Sequence, residues 1–276
     1  MINGNMKNEK IKELLKVAIR AGVEAGSAVC EVYNNEFDVE FKDDKSPLTL
    51  ADTNANKIIE SYLEKTEYPI LSEEGRDIPY SERRKWEYFW MVDPLDGTKE
   101  FVKRNGEFTV NIALIHNGTP VLGVVVAPVL RDLYFASELT GAVKVGNISM
   151  VDSFSTGLDE LMKSGTKLPV DKSEDIFRVM GSKSHMTKET ESFIRELEKE
   201  YANIEIISKG SSLKICMVAE GYADVYPRFA PTMEWDTAAG HAIVKYAGGE
   251  VINRETDKPV VYNKENLLNP WFLVTR

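Results

Sequence analysis

Cysteine is nearly missing from this chain: 276 residues contain two, Cys30 and Cys216. They stand far apart, in no C-x-x-C pair and with no zinc-like spacing. The simple reading is reduced thiols in a cytoplasmic protein, not a disulfide scaffold. Long apolar runs are missing as well. The segment Met1 to Lys10 is polar and lacks a signal-peptide core, and no run is long enough to span a bilayer. An excess of positive charge is also absent, since the formal net charge is −10. That argues against broad binding to nucleic acid or to anionic membranes, which needs a basic face. A small anionic ligand stays open, because a bound metal can supply local positive charge. There are no internal repeats and no low-complexity tracts.

What remains is an ordinary globular composition in a chain long enough for one large domain or two intimate ones. Residues Asn8 to about Glu31 have helical spacing, with Ile11, Leu14, Leu15 and Ala18 on one side. Glu36 to Phe41 reads as a strand and Asp43 to Pro47 as a solvated loop. A helix follows from about Ala51 to Lys65, then a short strand from Tyr68 to Leu71. Phe108 to Ala136 reads as an antiparallel meander, turning first at His116-Asn117-Gly118-Thr119 and continuing to about Gly146. Met150 to Glu174 is polar without clear period and marks the junction between residues 1–150 and residues 151–276. Beyond it strands and helices alternate, with helices at Thr187–Tyr201, Leu213–Glu220 and Glu234–Ala247. The fold class is α+β: an antiparallel-rich half, then an α/β half.

The chain is organised around the stretch from Trp90 to Phe101. An apolar strand, Phe89 to Val92, runs into Asp93-Pro94-Leu95-Asp96-Gly97-Thr98. Pro94 fixes φ and donates no ladder hydrogen bond, so the strand should stop there. Two carboxylates and the Leu95 carbonyl then project beyond a strand end, and hard cations such as Mg²⁺ take such oxygens. Gly97 permits close backbone approach, and a helix starting near it aims N–H groups at an anion. The same residues also make an ordinary strand-to-helix turn. An EF-hand is excluded, because its third position would be Leu95 and its twelfth Arg104.

Further acids stand at comparable places. Glu73 and Glu74 follow a strand end, where a solvated turn is the plainer reading. Asp52 and Asp236 each lie in the first turn of a helix, where a carboxylate also serves the helix dipole. In the second case the small residues Ala238-Ala239-Gly240 would let phosphate or metal approach closely. Spacing alone does not show that these groups converge.

Three motifs, Ser72-Glu73-Glu74, Trp90 to Thr98, and Trp235-Asp236-Thr237-Ala238-Ala239-Gly240, carry a resemblance to the inositol monophosphatase superfamily of Mg²⁺-dependent, lithium-sensitive phosphatases. It covers essentially the whole chain. Each motif alone is weak; together they are specific. Asp96-Gly97-Thr98-Lys99-Glu100-Phe101, Asn105 to Ala113, Ser211-Ser212-Leu213-Lys214 and Ala223 to Arg228 look most like the CysQ-type 3′(2′),5′-bisphosphate nucleotidase branch.

The resemblance implies a layered α/β/α/β/α fold and removal of the 3′-phosphate of adenosine 3′,5′-bisphosphate, with its phosphosulfate precursor a substrate of some members. It implies Glu73, Asp93 and the Leu95 carbonyl around one Mg²⁺, and Asp93, Asp96 and Asp236 around a second. Glu74 would support a weaker third ion through water. Glu73, Leu95, Asp96, Gly97, Thr98 and Asp236 would line the scissile phosphate. Asp52 would polarise the Thr98 hydroxyl, which orients a metal-activated water for in-line attack. Ser211, Lys214 and Arg228 match positions that approach a second phosphate, although a helical lysine is ordinarily a solvated charge. The expected partner is a small phosphonucleotide, with neither nucleic acid nor a spanned membrane. A loose contact with the cytoplasmic membrane face, and monomer against homodimer, stay open. An inositol or sugar monophosphatase of the same fold and a non-catalytic metal-binding module are the alternatives.

Overall fold

Strands that are apolar on both faces need cover on both sides, and the arrangement of helices supplies it. The computed structural model describes residues 4–35, 39–41, 47–151, 154–170, 176–181 and 187–276. In chain order the elements begin with α1 (Gly4–Tyr33), the small hairpin β1 (Val39–Phe41) and β2 (Pro47–Thr49), α2 (Leu50–Leu63), β3 (Ile70–Ser72) and α3 (Tyr80–Arg83). Then come β4 (Tyr88–Asp96), α4 (Thr98–Val102), β5 (Thr109–His116), β6 (Thr119–Ala127), β7 (Asp132–Ser137), β8 (Gly141–Val145), α5 (Leu158–Ser164) and β9 (Thr166–Lys167). The remainder is β10 (Phe177–Gly181), α6 (Lys188–Leu197), β11 (Ile204–Ser208), α7 (Leu213–Glu220), β12 (Val225–Arg228), α8 (Glu234–Tyr246), β13 (Glu250–Asn253), β14 (Lys258–Pro259) and β15 (Phe272–Thr275).

Strands β3 to β9 form one sheet in sequence order, antiparallel except that β3 runs parallel to β4. The second sheet has the order β11-β10-β12-β15-β13-β14 and is mixed. Along β4, Trp90 and Val92 face the core under α1 and α2, while Phe89 and Met91 face the core around α7 and α8. On β5, Ile112 and Leu114 face the first core, and Ala113 and Ile115 the second. The alternation expected of these strands is therefore between two interiors, not between interior and water. Helix α8 packs on β4 to β7 and also on β13, so the α7–α8 layer lies between the sheets. Helix α6 covers the outer side of the second sheet through Phe193, Ile194 and Leu197. The result is the expected α+β fold in five layers, α/β/α/β/α.

Local differences from the sequence expectations have physical causes. Strand β4 does not stop at Pro94. It continues to Asp96 through a register shift between Asp93 and Asp96, and an irregularity is where proline's missing N–H does no harm. The polar stretch after Met150 contains α5, whose Leu158 and Leu161 close on the first core, and β9, which extends the first sheet. Neither the single turn of α3 nor the two-residue β14 carries a periodic signal. The turn after His116 is as expected, with Asn117 and Gly118 both at positive φ. Asp43 to Ser46 lie outside the described residues, and Pro47 opens β2. Both cysteines are free, Cys30 in α1 and Cys216 in α7. Among the described residues no helix is long and apolar enough to cross a membrane.

Candidate active site

The site begins where β3 ends beside β4, which runs on past it to Asp96. Ser72 of β3 pairs with Val92 of β4, which sets Glu73, just past the end of β3, beside Asp93 within β4, with the Glu73 N–H on the Val92 carbonyl at 3.1 Å. In a regular strand, residues three apart face opposite sides. Here Asp93 aligns with Asn111 and Asp96 with Thr109, two positions apart on β5. One extra residue in β4 thus returns Asp96 to the face of Asp93. The spacing of the two aspartates works because of the bulge, not because the strand ends.

Asp93 is buried, and its Oδ1 accepts the Leu95 N–H at 3.0 Å. Burial raises its carboxyl well above the usual range, and the charges of Glu73, Asp96 and Asp236 add to that. Asp236 lies in the first turn of α8, where its Oδ2 accepts the Met233 N–H at 2.9 Å. Burial first, then Asp96, pushes its carboxyl up to about 8, against the relief from that hydrogen bond. Two of the small residues after it, Ala239 and Gly240, are closely packed. A Cβ on Gly123 of β6 would stand 2.4 Å from the Ala239 carbonyl, and one on Gly240 would meet Ile215 of α7 at 2.9 Å.

Gly97 is left-handed, at φ 94°, where Glu107 and Phe108 crowd any side chain, and it leads into α4. Thr98 opens that helix. Its hydroxyl reaches Asp52 Oδ1 and the Leu95 carbonyl, both at 3.2 Å. Asp52 uses its two oxygens on two different partners. Its Oδ2 accepts the Thr49 N–H at 2.8 Å and hydroxyl at 2.7 Å, closing a capping box on α2. Its Oδ1 is left for Thr98. Burial raises the Asp52 carboxyl, the Thr49 bonds oppose this, and the charge of half-buried Glu74 adds to it.

A cavity of about 400 Å³ opens beside these groups. Asp96, Gly97, Ser211, Lys214, Arg228 and Asp236 line it; Glu73, Asp93, Leu95 and Thr98 are not on its wall. Lys214 is not a solvated helix charge. It is 9% exposed, and its ammonium donates to the carbonyls of Lys209 at 3.1 Å and Ser211 at 2.8 Å. Burial lowers it to about 8; Arg228 pushes the same way, and Asp96, Glu100 and Glu107 push back. Ser211 sits at φ 45° with its hydroxyl buried and, among the described residues, unpartnered, and the Arg228 Nε is likewise buried without an acceptor there. His185, which follows Gly181-Ser182-Lys183-Ser184 and whose sequence reading is a surface histidine or a contact to the sugar or base, lies outside the described residues. His241 is spent on Tyr262 and Glu250 in the interior.

Ser212 escaped the sequence reading, because a serine before a helix looks like a plain N-cap. It makes no cap bond. Its N–H and hydroxyl lie 2.6 and 2.8 Å from Asp96 Oδ2, an interaction across 116 positions that no local pattern announces.

The donor set fits a hard divalent cation, being carboxylates and a carbonyl, several of them disfavoured as anions by one another. Among the described residues no three acidic, histidine or cysteine side chains already share a ligating centre. The fit therefore rests on donor chemistry and mutual charge.

A profile of the inositol monophosphatase family matches residues 10–271. The chain is 42% identical over 256 residues to the 3′(2′),5′-bisphosphate nucleotidase CysQ of Salmonella typhimurium, covering 91% of this chain and 95% of that one. It is 42% identical over 257 residues, with the same coverage, to the protein of that name from Escherichia coli K12. The crystal structure of CysQ from Bacteroides thetaiotaomicron superposes with a TM-score of 0.89 at 50% identity, over 96% of this chain and 97% of that one. An inositol monophosphatase of Thermotoga maritima, at 24% identity and a TM-score of 0.71, shares the fold. With its profile matched almost end to end and its five layers shared, the chain belongs to the inositol monophosphatase family.

Proposed function

We propose that this protein is a Mg²⁺-dependent 3′(2′),5′-bisphosphate nucleotidase. It hydrolyses adenosine 3′,5′-bisphosphate to AMP and phosphate, and it also accepts the 5′-phosphosulfate analogue. The relatives named above support the reading. The observation that carries it is the pairing, in one cavity, of a carboxylate wall with donors short of acceptors. Lys214 has three N–H donors and two carbonyl partners, and among the described residues the Ser211 hydroxyl and Arg228 Nε have none. A second phosphate in the cavity would be met by the two cations Lys214 and Arg228 that line it; a monophosphate held at the carboxylates would leave them without an anion.

Glu73, Asp93 and the Leu95 carbonyl would hold one Mg²⁺, Asp93, Asp96 and Asp236 a second, and Glu74 a weaker third through water. When bound, such ions acidify water and neutralise charge on the phosphoryl and leaving oxygens. The chain's own groups do the rest. The first N–H groups of α4, beginning at Gly97 and Thr98, lack intrahelical partners and receive phosphate oxygens. The Thr98 hydroxyl, donating to Asp52, turns its lone pairs toward the attacking water and fixes the line of attack. Asp52, its carboxyl raised by burial, takes up the proton passed through Thr98. The P–O bond to the 3′ carbon's oxygen breaks with its electron pair going to that oxygen, which takes a proton from solvent water and leaves as the ribose hydroxyl. No residue of the chain forms a covalent bond with phosphorus.

The test is Asp96→Asn with adenosine 3′,5′-bisphosphate and Mg²⁺. The account expects phosphate release to be abolished while the circular dichroism spectrum and unfolding midpoint stay close to wild type. Retained turnover would overturn the assignment of Asp96 to the second ion.

A further inference from the structure

Ser212 occupies the place from which serine normally caps its own helix, yet its hydroxyl is sent elsewhere. It is 2% exposed and stands between three segments. Its N–H donates to Asp96 Oδ2 at 2.6 Å, and its hydroxyl oxygen lies 2.8 Å from the same atom. That oxygen is also 2.7 Å from the Asp236 backbone carbonyl, in the first turn of α8. It accepts the Asn111 Nδ2–H at 2.9 Å, and the same amide reaches Asp96 Oδ2 at 3.3 Å.

The hydroxyl has one proton and two acceptors, so it serves Asp96 or the Asp236 carbonyl at any moment. The charged oxygen is the stronger acceptor. Asp96 Oδ2 is thus surrounded by up to three donors, whereas Oδ1 has no such partner among the described residues. A carboxylate gripped by one oxygen presents the other in a fixed direction.

We propose that Ser212, assisted by Asn111, is a positioning residue. It fixes which oxygen of Asp96 faces the cation, and it ties the end of β4 to the start of α8, so that Asp96 and Asp236 keep their separation. This rests on the reading of Asp96 as a ligand of a divalent ion. Ser212 touches neither substrate nor the reacting atoms. Its loop is itself anchored, because the Gly210 N–H and the Lys209 ammonium both bind the Glu107 carboxylate, at 2.9 and 3.1 Å.

The experiment measures Mn²⁺ binding to substrate-free protein by electron paramagnetic resonance, for wild type, Ser212→Ala, Ser212→Cys, Asn111→Ala and Asp96→Asn. Each is checked for folding by circular dichroism. Ser212→Ala should weaken Mn²⁺ about 10–100-fold. Ser212→Cys, a weaker donor of similar shape, should fall between it and wild type, and Asn111→Ala should weaken binding less than Ser212→Ala. In turnover, Ser212→Ala should need more Mg²⁺ for half-maximal rate yet regain most of kcat when Mg²⁺ is saturating. A folded Ser212→Ala or Ser212→Cys variant that binds Mn²⁺ as wild type does, beside an Asp96→Asn variant that does not, would overturn the positioning role and leave the metal reading standing. Wild-type Mn²⁺ affinity in Asp96→Asn would remove the metal reading, and the positioning role with it.

Discussion

The Thr98 hydroxyl donates to Asp52 Oδ1 across 3.2 Å, although the two residues are 46 positions apart in the chain. The contact joins the start of α4 to the start of α2. It works because Asp52 has two oxygens and uses the other to cap its own helix.

Removing either member of this pair should strike the chemical step. Asp52→Asn and Thr98→Val are each expected to lower kcat by about 10²–10⁴-fold, the range for a positioned proton acceptor. Thr49→Ala separates the two tasks of Asp52. It removes only the cap, so it should cost about 1 kcal/mol in urea unfolding and leave most of kcat. A Thr49→Ala enzyme as inactive as Asp52→Asn would mean that Asp52 acts through helix α2 rather than through Thr98.

Lys214 sets a pH limit on recognition of the second phosphate. Its ammonium is held at about 8 by burial. It is charged below that pH and neutral above it, so kcat/KM for a bisphosphate should fall as pH rises through about 8. The matched profile of Lys214→Met should be low and lack that limb. Stability moves the other way. Between about 8 and the ordinary lysine value of 10.5, the unfolded chain binds the proton that the folded chain has released. Wild-type stability should therefore rise with pH across that window, and Lys214→Met should remove the rise. Parallel pH profiles for the two proteins in both measurements would contradict the role given to Lys214.

Gly123 is expected to tolerate no side chain. A Cβ there would lie 2.4 Å from the Ala239 carbonyl and 2.7 Å from the Ala242 side chain. Replacing glycine in a strand usually helps. Here Gly123→Ala should destabilise by about 1–3 kcal/mol in denaturant titration, as other overpacked cores do. Because α8 also carries Asp236, the apparent Mg²⁺ requirement should rise in the same variant. A Gly123→Ala protein as stable as wild type would show that α8 is free to move off the sheet.

The α+β class could be read from the sequence because the strands of the first sheet are strongly apolar and helices such as α7 have sharp ends, and the layering followed from the family resemblance. Asp96, Glu73 and Asp236 could be singled out because each stands at an element's end, where polar groups gather, and Asp93 because a proline follows it directly. Three things could not be read. The continuation of β4 through Pro94 depends on a bulge that only pairing with β5 defines. The burial of Lys214 depends on carbonyls of the 209–211 loop that close over it. The task of Ser212 depends on Asp96, Asn111 and Asp236, which come from three other elements. Each is a long-range relation at a position whose local sequence has an ordinary explanation, and the small residues of α8 show the converse. Read locally they offer room for a ligand; in the fold Ala239 and Ala242 lie against Gly123 of the first sheet and Gly240 against Ile215 of α7.

The central claim is that the cavity reads two phosphates, one at the carboxylates and one at Lys214, Arg228 and Ser211. The direct test is Mg²⁺-dependent phosphate release at matched concentrations of adenosine 3′,5′-bisphosphate, inositol 1-phosphate and fructose 1,6-bisphosphate, with and without lithium. The account predicts strong preference for the adenosine bisphosphate, suppressed by lithium and largely lost in Lys214→Met. Equal or better turnover of inositol 1-phosphate by the wild-type protein would contradict it.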